Sequence, residues 1–386
     1  MPLIGDIATS QDQLTRWRRK LHAHPETAFE EHETARFVAD RLRAFGVDVC
    51  EGLAGTGVVG TLVNGDGPAI GLRADLDALE IAERNTFAHR STREGKMHAC
   101  GHDGHTVMLL GAARHLARTK AFHGTVHFIF QPAEENEAGG RAMVEDGLFR
   151  RFPVEAVYGL HNWPALDEGK IAVRAGPIMA ACDLFEIELT GRGCHGAMPH
   201  LGSDVIVAAG SLLTALQTVV SRTIDPQRSA VLSVTQIHAG ETWNVLPERA
   251  VLRGTTRAFQ SAVQEALEAG IRAMATHVAE AHRCTARVEY QRRYPPTINS
   301  GEETERAARA ASAVVGAEKV VRTADPSMGA EDFAFMLAER PGCYVWLGSR
   351  RGDSEPGLHN PRYDFNDRIL PIGASYWVAL VEQELA

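Results

Sequence analysis

The chain has no excess of positive charge, no long apolar run and no dense set of cysteines. Its 40 Lys and Arg stand against 49 Asp and Glu, a net charge of −9. That balance excludes a generally basic surface for nucleic acid. Continuous apolar stretches such as 205–213 fall short of the roughly 20 residues that cross a bilayer. The first residues, MPLIGDIATSQDQLTRWRRK, hold no apolar core of a secretory leader. Six cysteines in 386 residues are too few and too scattered to staple a small scaffold. They point to a reducing cytoplasm, where a special cysteine is a metal ligand or a nucleophile. No internal repeat or low-complexity tract is present. What remains is ordinary globular composition, 44% apolar and 23% charged. The length suggests two or three domains.

Leu14, Trp17 and Leu21 recur at helical spacing, and 33–45 reads as a helix stopped by Gly46. Short apolar runs bounded by Gly, Pro or Asn follow at 57–63, 69–72, 125–130 and 156–160. Helical patterns lie between them, notably 106–119. Strands interleaved with helices indicate an α/β domain with a mixed or mostly parallel sheet. The middle of the chain has another rhythm. Strand patterns at 183–190, 230–237, 249–259 and 287–294 alternate with helical ones at 204–222 and 261–282. The order β-α-β-β-α-β is ferredoxin-like and makes a complete small α+β domain, ending at Pro295 and Pro296. Helix and strand patterns then resume, including 302–315 and 343–347. The reading is one α/β domain built from 1–181 and 297–386, with a smaller domain, 182–296, inserted in it.

Polar clusters sit after the predicted strands of the α/β part. Arg73, Asp75 and Asp77 follow the second, Glu134 and Glu135 the third, and His161 and Asn162 the fourth. His359 follows the late strand. In open α/β sheets ligands collect beyond the carboxyl ends of the strands. The richest cluster is MHACGHDGH, 97–105, opening the helix at Thr106. In an extended stretch residues i and i+2 point the same way, so Cys100 and His102 reach one ion together. A thiolate with an imidazole suits zinc and similar metals. Glu135, His161 and His359 add three ligands of suitable type. Five protein ligands exceed what one catalytic zinc needs and suit two cations, bridged by Cys100 or by a water. Glu134 is then the general base that moves a proton from water to a leaving nitrogen. Singly, each cluster also reads as a solvated loop or a buried structural thiol; their co-occurrence at strand ends favours the metal site.

The segments LRADLDAL, GKMHACGHDGHT, FIFQPAEE, GLHNWP, GRGCHGAMPH and GAEDFAF, with HNP near the C-terminus, resemble the aminoacylase/hippurate hydrolase branch of the dinuclear metallopeptidases. The resemblance runs from about Trp17 to the last strand. It implies a two-metal aminopeptidase-like catalytic domain, a mixed sheet flanked by helices, with the inserted domain serving as lid and dimerisation module. It implies cleavage of N-acyl amino acids to an acid and a free amino acid. A dipeptidase or carboxypeptidase on the same scaffold and a non-catalytic binding relative are the rivals. It implies two divalent ions per subunit, zinc, manganese, cobalt or nickel, on Cys100, His102, Glu135, His161 and His359. Glu134 is the base in this likeness, and Asp75 the carboxylate that orients a ligand imidazole. Related metallopeptidases open the first motif with a His ligand; Arg73 stands there, and His102 supplies the imidazole instead. His195 in the inserted domain corresponds to the residue that steadies the oxyanion from the partner of a homodimer. Asn244 corresponds to a substrate contact. Arg257, with Arg253 its rival on the same strand face, corresponds to the arginine that pairs with the substrate carboxylate. Glu80, where Pro is common, and Ala330, where Ser is frequent, are the departures.

Overall fold

The computed structural model describes residues 3–135, 137–352 and 355–386. The chain divides into two compact units. One comprises Met1–Gly176, Ile298–Asp325 and Asp332–Ala386, the other Pro177–Thr297 and Pro326–Glu331. The short return segment Pro326–Glu331 has no boundary signal in the sequence; Ser327 is tied to the second unit by bridging Met179.

The first unit is built on a mixed eight-stranded sheet. Its four central strands, Gly124–Gln131, Ala69–Asp75, Ala156–Asp167 and Gly342–Arg350, run parallel in that spatial order. Each is buried over most of its length, as strands covered on both faces are. Gly57–Asn64 and Asp48–Leu53 extend one side antiparallel. Ile171–Ala172 and Val320–Val321 finish the other. Helices Gln11–Ala23, His32–Ala44, His102–Thr119, Gly301–Val315 and Leu370–Glu384 pack on the core through Leu14, Val38, Leu109, Ala311 and Trp377 among others. The sequence reading missed Leu370–Glu384 because this helix is buried on nearly every side and shows no amphipathic stripe.

Connection order places a crevice. From Ala69–Asp75 the chain crosses to Gly124–Gln131 on one side, then to Ala156–Asp167 on the other. That reversal is a topological switch point, where ligands gather beyond the strands' carboxyl ends. Pairing between Ala69–Asp75 and Ala156–Asp167 stops at Arg73 opposite Gly159. Ala156–Asp167 continues, paired only with Gly342–Arg350. His161 and Asn162 therefore lie inside a strand that has lost one neighbour, not in the loop expected after residue 160.

The second unit has a four-stranded antiparallel sheet of Ala181–Thr190, Ala230–Ala239, Arg249–Ala258 and Thr285–Tyr294. Numbered along the chain, their spatial order is 2-3-1-4, the ferredoxin-like arrangement. Helices Val205–Thr218 and Ser261–Ala281 cover the face bearing Phe185, Ile187, Leu189 and Leu252. With the π-helical turn Val219–Thr223 the first helix becomes 19 residues, long and apolar enough to cross a membrane by length and composition. Continuous apolar runs had understated that length. Its Val205, Ala208, Leu212, Leu216 and Val219 are buried in the core of this unit.

Candidate metal centre

The motif 97–105 departs from the extended geometry expected of it. Gly101 adopts φ +101° and turns the chain, so that the helix begins at His102 rather than Thr106. A Cβ at residue 101 would stand 2.1 Å from Asn162 Oδ1. Only glycine fits both the left-handed backbone and that close approach. Cys100 thus lies before the turn and His102 on the first turn of the helix, and the bend brings them together. Glu134 and Glu135 follow Gln131 at the next strand end. His359 sits at φ +61°, its N–H donated to Ala99 O at 2.8 Å.

All five expected ligands converge within the first unit. Ligand atoms of Cys100, His102 and His161 lie within 4.8 Å of one another. The same limit holds for Cys100, Glu135 and His359, and for His102, Glu134 and Glu135. Cys100 Sγ is 3.3 Å from His161 Nε2, and His359 Nε2 is 3.1 Å from Glu135 Oε1. The buried His102 Nε2 has no hydrogen-bond partner among the described residues. Among the described residues Glu135 Oε1 likewise makes no hydrogen bond, its near neighbour being the His359 ring nitrogen at 3.1 Å. An unpaired buried nitrogen and an unpaired buried oxygen are costly unless something absent from the chain satisfies them. A mixed sulfur, nitrogen and oxygen set fits zinc or a similar divalent cation.

Charge is unevenly settled here. Burial would lower the His102 pKa, but Asp75 and Asp77 outweigh it and raise it to about 10. Burial, with Glu135 and Glu134 beside it, holds the Cys100 thiol well above its ordinary range. Burial and the neighbouring His105 push His161 well below its own. Burial raises Asp75, yet His102, His105 and Arg73 outweigh it and keep the carboxyl well below the usual values.

The pairing of several residues named from the sequence was not legible there. His102 Nδ1 lies 3.2 Å from Asp77 Oδ1, so Asp77 is the carboxylate that sets this ring's orientation. Asp75 instead reaches His105 Nδ1 at 2.6 Å, with Oδ2 3.7 Å from His102 Nε2. His105 Nε2 is 2.7 Å from Asn162 Oδ1. His105 was legible as i+3 from His102, once the helix is known to start there. Arg73, fully buried, donates to Asp75, Asp332 and Gln131.

Behind the helix start, Asp103 donates nothing but accepts from Gly104 N at 3.0 Å and faces His22 Nδ1 at 3.0 Å. His22 Nε2 is 3.2 Å from Glu83 Oε1. Burial disfavours the imidazolium, but Asp103 and Glu83 prevail and raise His22 to about 9. An unfolded histidine titrates near 6.5. The stabilisation is therefore complete below pH 6.5 and is lost as pH climbs through 9. Between pH 6.5 and 9.5 the wild type is expected to lose about 3 kcal/mol more than a His22→Phe variant, read from urea unfolding. Parallel pH profiles for the two would remove His22 from the account.

The remaining expected residues lie in the second unit. His195 pairs with Val245 on a two-stranded ribbon, next to Asn244, whose carbonyl accepts from Gly196 N at 2.7 Å. His195 is exposed, and its Nδ1 accepts from Ala197 N at 3.1 Å. A neutral ring so held carries its proton on Nε2, where it is a donor. Arg253 is engaged by Glu186 at 2.6 Å. Among the described residues Arg257 has only the Met328 carbonyl, 3.5 Å away, as a hydrogen-bond partner, which favours it over Arg253 as the more available guanidinium.

A parallel-sheet rim bearing a thiol, imidazoles and paired glutamates at a switch point defines a class, the metal-dependent hydrolases. Comparison with known proteins gives the particular family. Residues 71–383 match the model of peptidase family M20/M25/M40, and the chain belongs to that family. Hippurate hydrolase of Campylobacter jejuni is 38% identical over 98% of both chains. N-acetyl-L-cysteine deacetylase of Bacillus subtilis is 38% identical over 97% of this chain and 88% of its own. A solved structure from Bacillus subtilis, described as a dinuclear metal binding peptidase from the M20 family, superposes with a TM-score of 0.85. It is 34% identical and covers 98% of this chain and 99% of that one. The protein is a metal-dependent amidohydrolase.

Proposed function

We propose that the protein hydrolyses N-acyl amino acids, with Cys100, His102, Glu135, His161 and His359 holding two divalent cations. The observation that carries this reading is the sharing of Cys100 between two donor triads, one with His102 and His161, the other with Glu135 and His359. A thiolate common to both triads would contribute to holding both cations. The cations, zinc, manganese, cobalt or nickel, supply Lewis acidity toward the amide carbonyl and toward water when bound. Glu134, buried beside Glu135, takes a proton from the attacking water and passes it to the leaving nitrogen. Asp77 and Asp75 fix the imidazoles, as acidic partners of ligand histidines do.

The second unit's residues complete the proposal. His195 donates from Nε2 to the oxyanion, Asn244 contacts substrate, and Arg257 pairs with the amino-acid carboxylate through its planar fork. A homodimer through the second unit and a cytoplasmic location belong to the same reading. All six cysteines are free, in keeping with a reducing compartment. Two of the similar proteins are named for N-acyl amino acids. The deciding experiment is a panel of hippurate, N-acetyl amino acids and dipeptides, run on protein of measured metal content. N-acyl amino acids are expected to be hydrolysed at least about tenfold more efficiently than dipeptides, a difference of ~1.4 kcal/mol. The reverse order would make the protein a peptidase, and no turnover by fully loaded protein would leave only binding.

A further inference from the structure

Glu31 is a completely buried carboxylate about a hundred residues from the catalytic glutamates in sequence. It stands at the N-terminal end of helix His32–Ala44, yet does not cap it. Glu26 does that, accepting from Glu33 N at 3.1 Å and Thr34 N at 2.8 Å. Glu31 is left to point into the protein. Its Oε1 accepts from Ala133 N at 2.9 Å, and its Oε2 accepts from Thr56 Oγ1 at 2.6 Å.

Ala133 is the residue before Glu134, and its backbone is left-handed, φ +53°. A non-glycine residue rarely holds that conformation unless its surroundings impose it. Three contacts surround the turn. Glu31 takes the Ala133 N–H, the Ala133 carbonyl accepts from Gly139 N at 2.9 Å, and Asp77 Oδ2 accepts from Glu135 N at 2.9 Å. A Cβ on residue 139 would lie 1.8 Å from the Pro132 carbonyl, so the turn is also packed tightly. Asp77 fixes the Glu135 end, and the end that aims Glu134 depends on Glu31.

Resting on the reading of Glu134 as the base, we infer that Glu31 is a positioning residue: it holds Ala133 left-handed and so aims the Glu134 carboxylate. It touches neither substrate nor the proposed ligands. Its anchor at Thr56, on the loop before strand Gly57–Asn64, ties the turn to the start of that strand. Burial pushes the Glu31 carboxyl up to about 7, so a neutral isostere is the natural control. Glutamine keeps both contacts: its carbonyl accepts from Ala133, and its amide donates to the Thr56 hydroxyl oxygen.

The test compares Glu31→Ala, Glu31→Gln and the wild type as metal-loaded enzyme. Glu31→Ala is expected to lower kcat by about 100-fold, the cost of misaiming a catalytic group, with KM and metal stoichiometry nearly unchanged. Amide hydrogen exchange over residues 133–135 should rise in parallel. Glu31→Gln should restore both turnover and protection. Wild-type kcat in Glu31→Ala, equal loss in both variants, or unchanged exchange would each overturn the inference. If Glu31→Ala does not fold, Thr56→Val serves instead. It removes the anchor that seats Glu31 against the Ala133 N–H, so exchange at Ala133 should rise and kcat should fall several-fold; unchanged turnover and exchange would overturn the inference equally. The exchange readout needs no substrate, so it stands even where the panel above shows the proposed reaction to be wrong.

Discussion

Glu134→Gln is expected to lower kcat by about 10³-fold while both cations stay bound. The side chain is nearly isosteric and remains polar, but it cannot accept the proton that must leave the attacking water. Glu134 is buried and lies with Glu135 and His102 inside one 4.8 Å group. The adjacent Glu135→Gln is the necessary contrast. Glu135 is near Cys100 and His359 and carries the unpaired oxygen, so its loss should show first in metal stoichiometry. Two neighbouring glutamates thus separate into a proton carrier and a ligand by which quantity each variant loses. Full turnover in Glu134→Gln would exclude it as the base. Lost metal in that variant would make it a ligand instead. Mixing Glu134→Gln with His195→Ala subunits extends the same experiment. Activity should return only if His195 serves the partner's site.

The residues of the centre were more legible than its geometry. Chemistry-bearing side chains after apolar runs named Cys100, His102, Glu135, His161 and His359, because strand ends and metal-competent residue types are local signals. The way they meet is not local. The i, i+2 argument gave a plausible reason for Cys100 and His102 to converge, but the actual reason is a left-handed turn at Gly101, packed closely against Asn162 and Tyr363. His161 was placed after a strand that in fact continues, since strand length depends on the neighbour, Gly342–Arg350, nearly two hundred residues away. Asp77 faces His102, and Asp75, expected to orient a ligand imidazole, faces His105, a pairing that depends on a helix beginning four residues earlier than the apolar pattern suggests. The inserted domain was readable because each of its elements alternates or repeats cleanly. Leu370–Glu384 was not, since a helix wrapped in protein has no polar face to set its period.

Arg73→Leu is expected to destabilise the first unit by about 3–5 kcal/mol, the usual cost of stripping one partner from a buried ion pair. Arg73 is wholly buried between two equally buried acids, Asp75 at 2.8 Å and Asp332 at 3.0 Å. Its Nε donates to Gln131 Oε1 at 2.8 Å, and its guanidinium lies 5.7 Å from the Phe333 ring centre. One fork therefore joins two strand ends to the segment after residue 331. Without it, two carboxylates lose the cation that offsets their burial. Asp332 keeps Gln131 Nε2 at 2.8 Å and Gly140 N at 2.7 Å, neutral donors that cannot balance its charge. Lysine should recover part of the loss, because it restores charge but not the planar fork. Arg73→Leu combined with Asp332→Asn should recover more than additivity allows, since the second change removes one stranded charge. The thermal midpoint of the unit should fall by ~10 °C in Arg73→Leu. Turnover should fall with it, because Asp75 orders His105 and Asp332 orders the strand end that leads to Glu134. An Arg73→Leu protein within about 1 kcal/mol of the wild type by urea unfolding would show that this arginine is not what holds the two acids in the core.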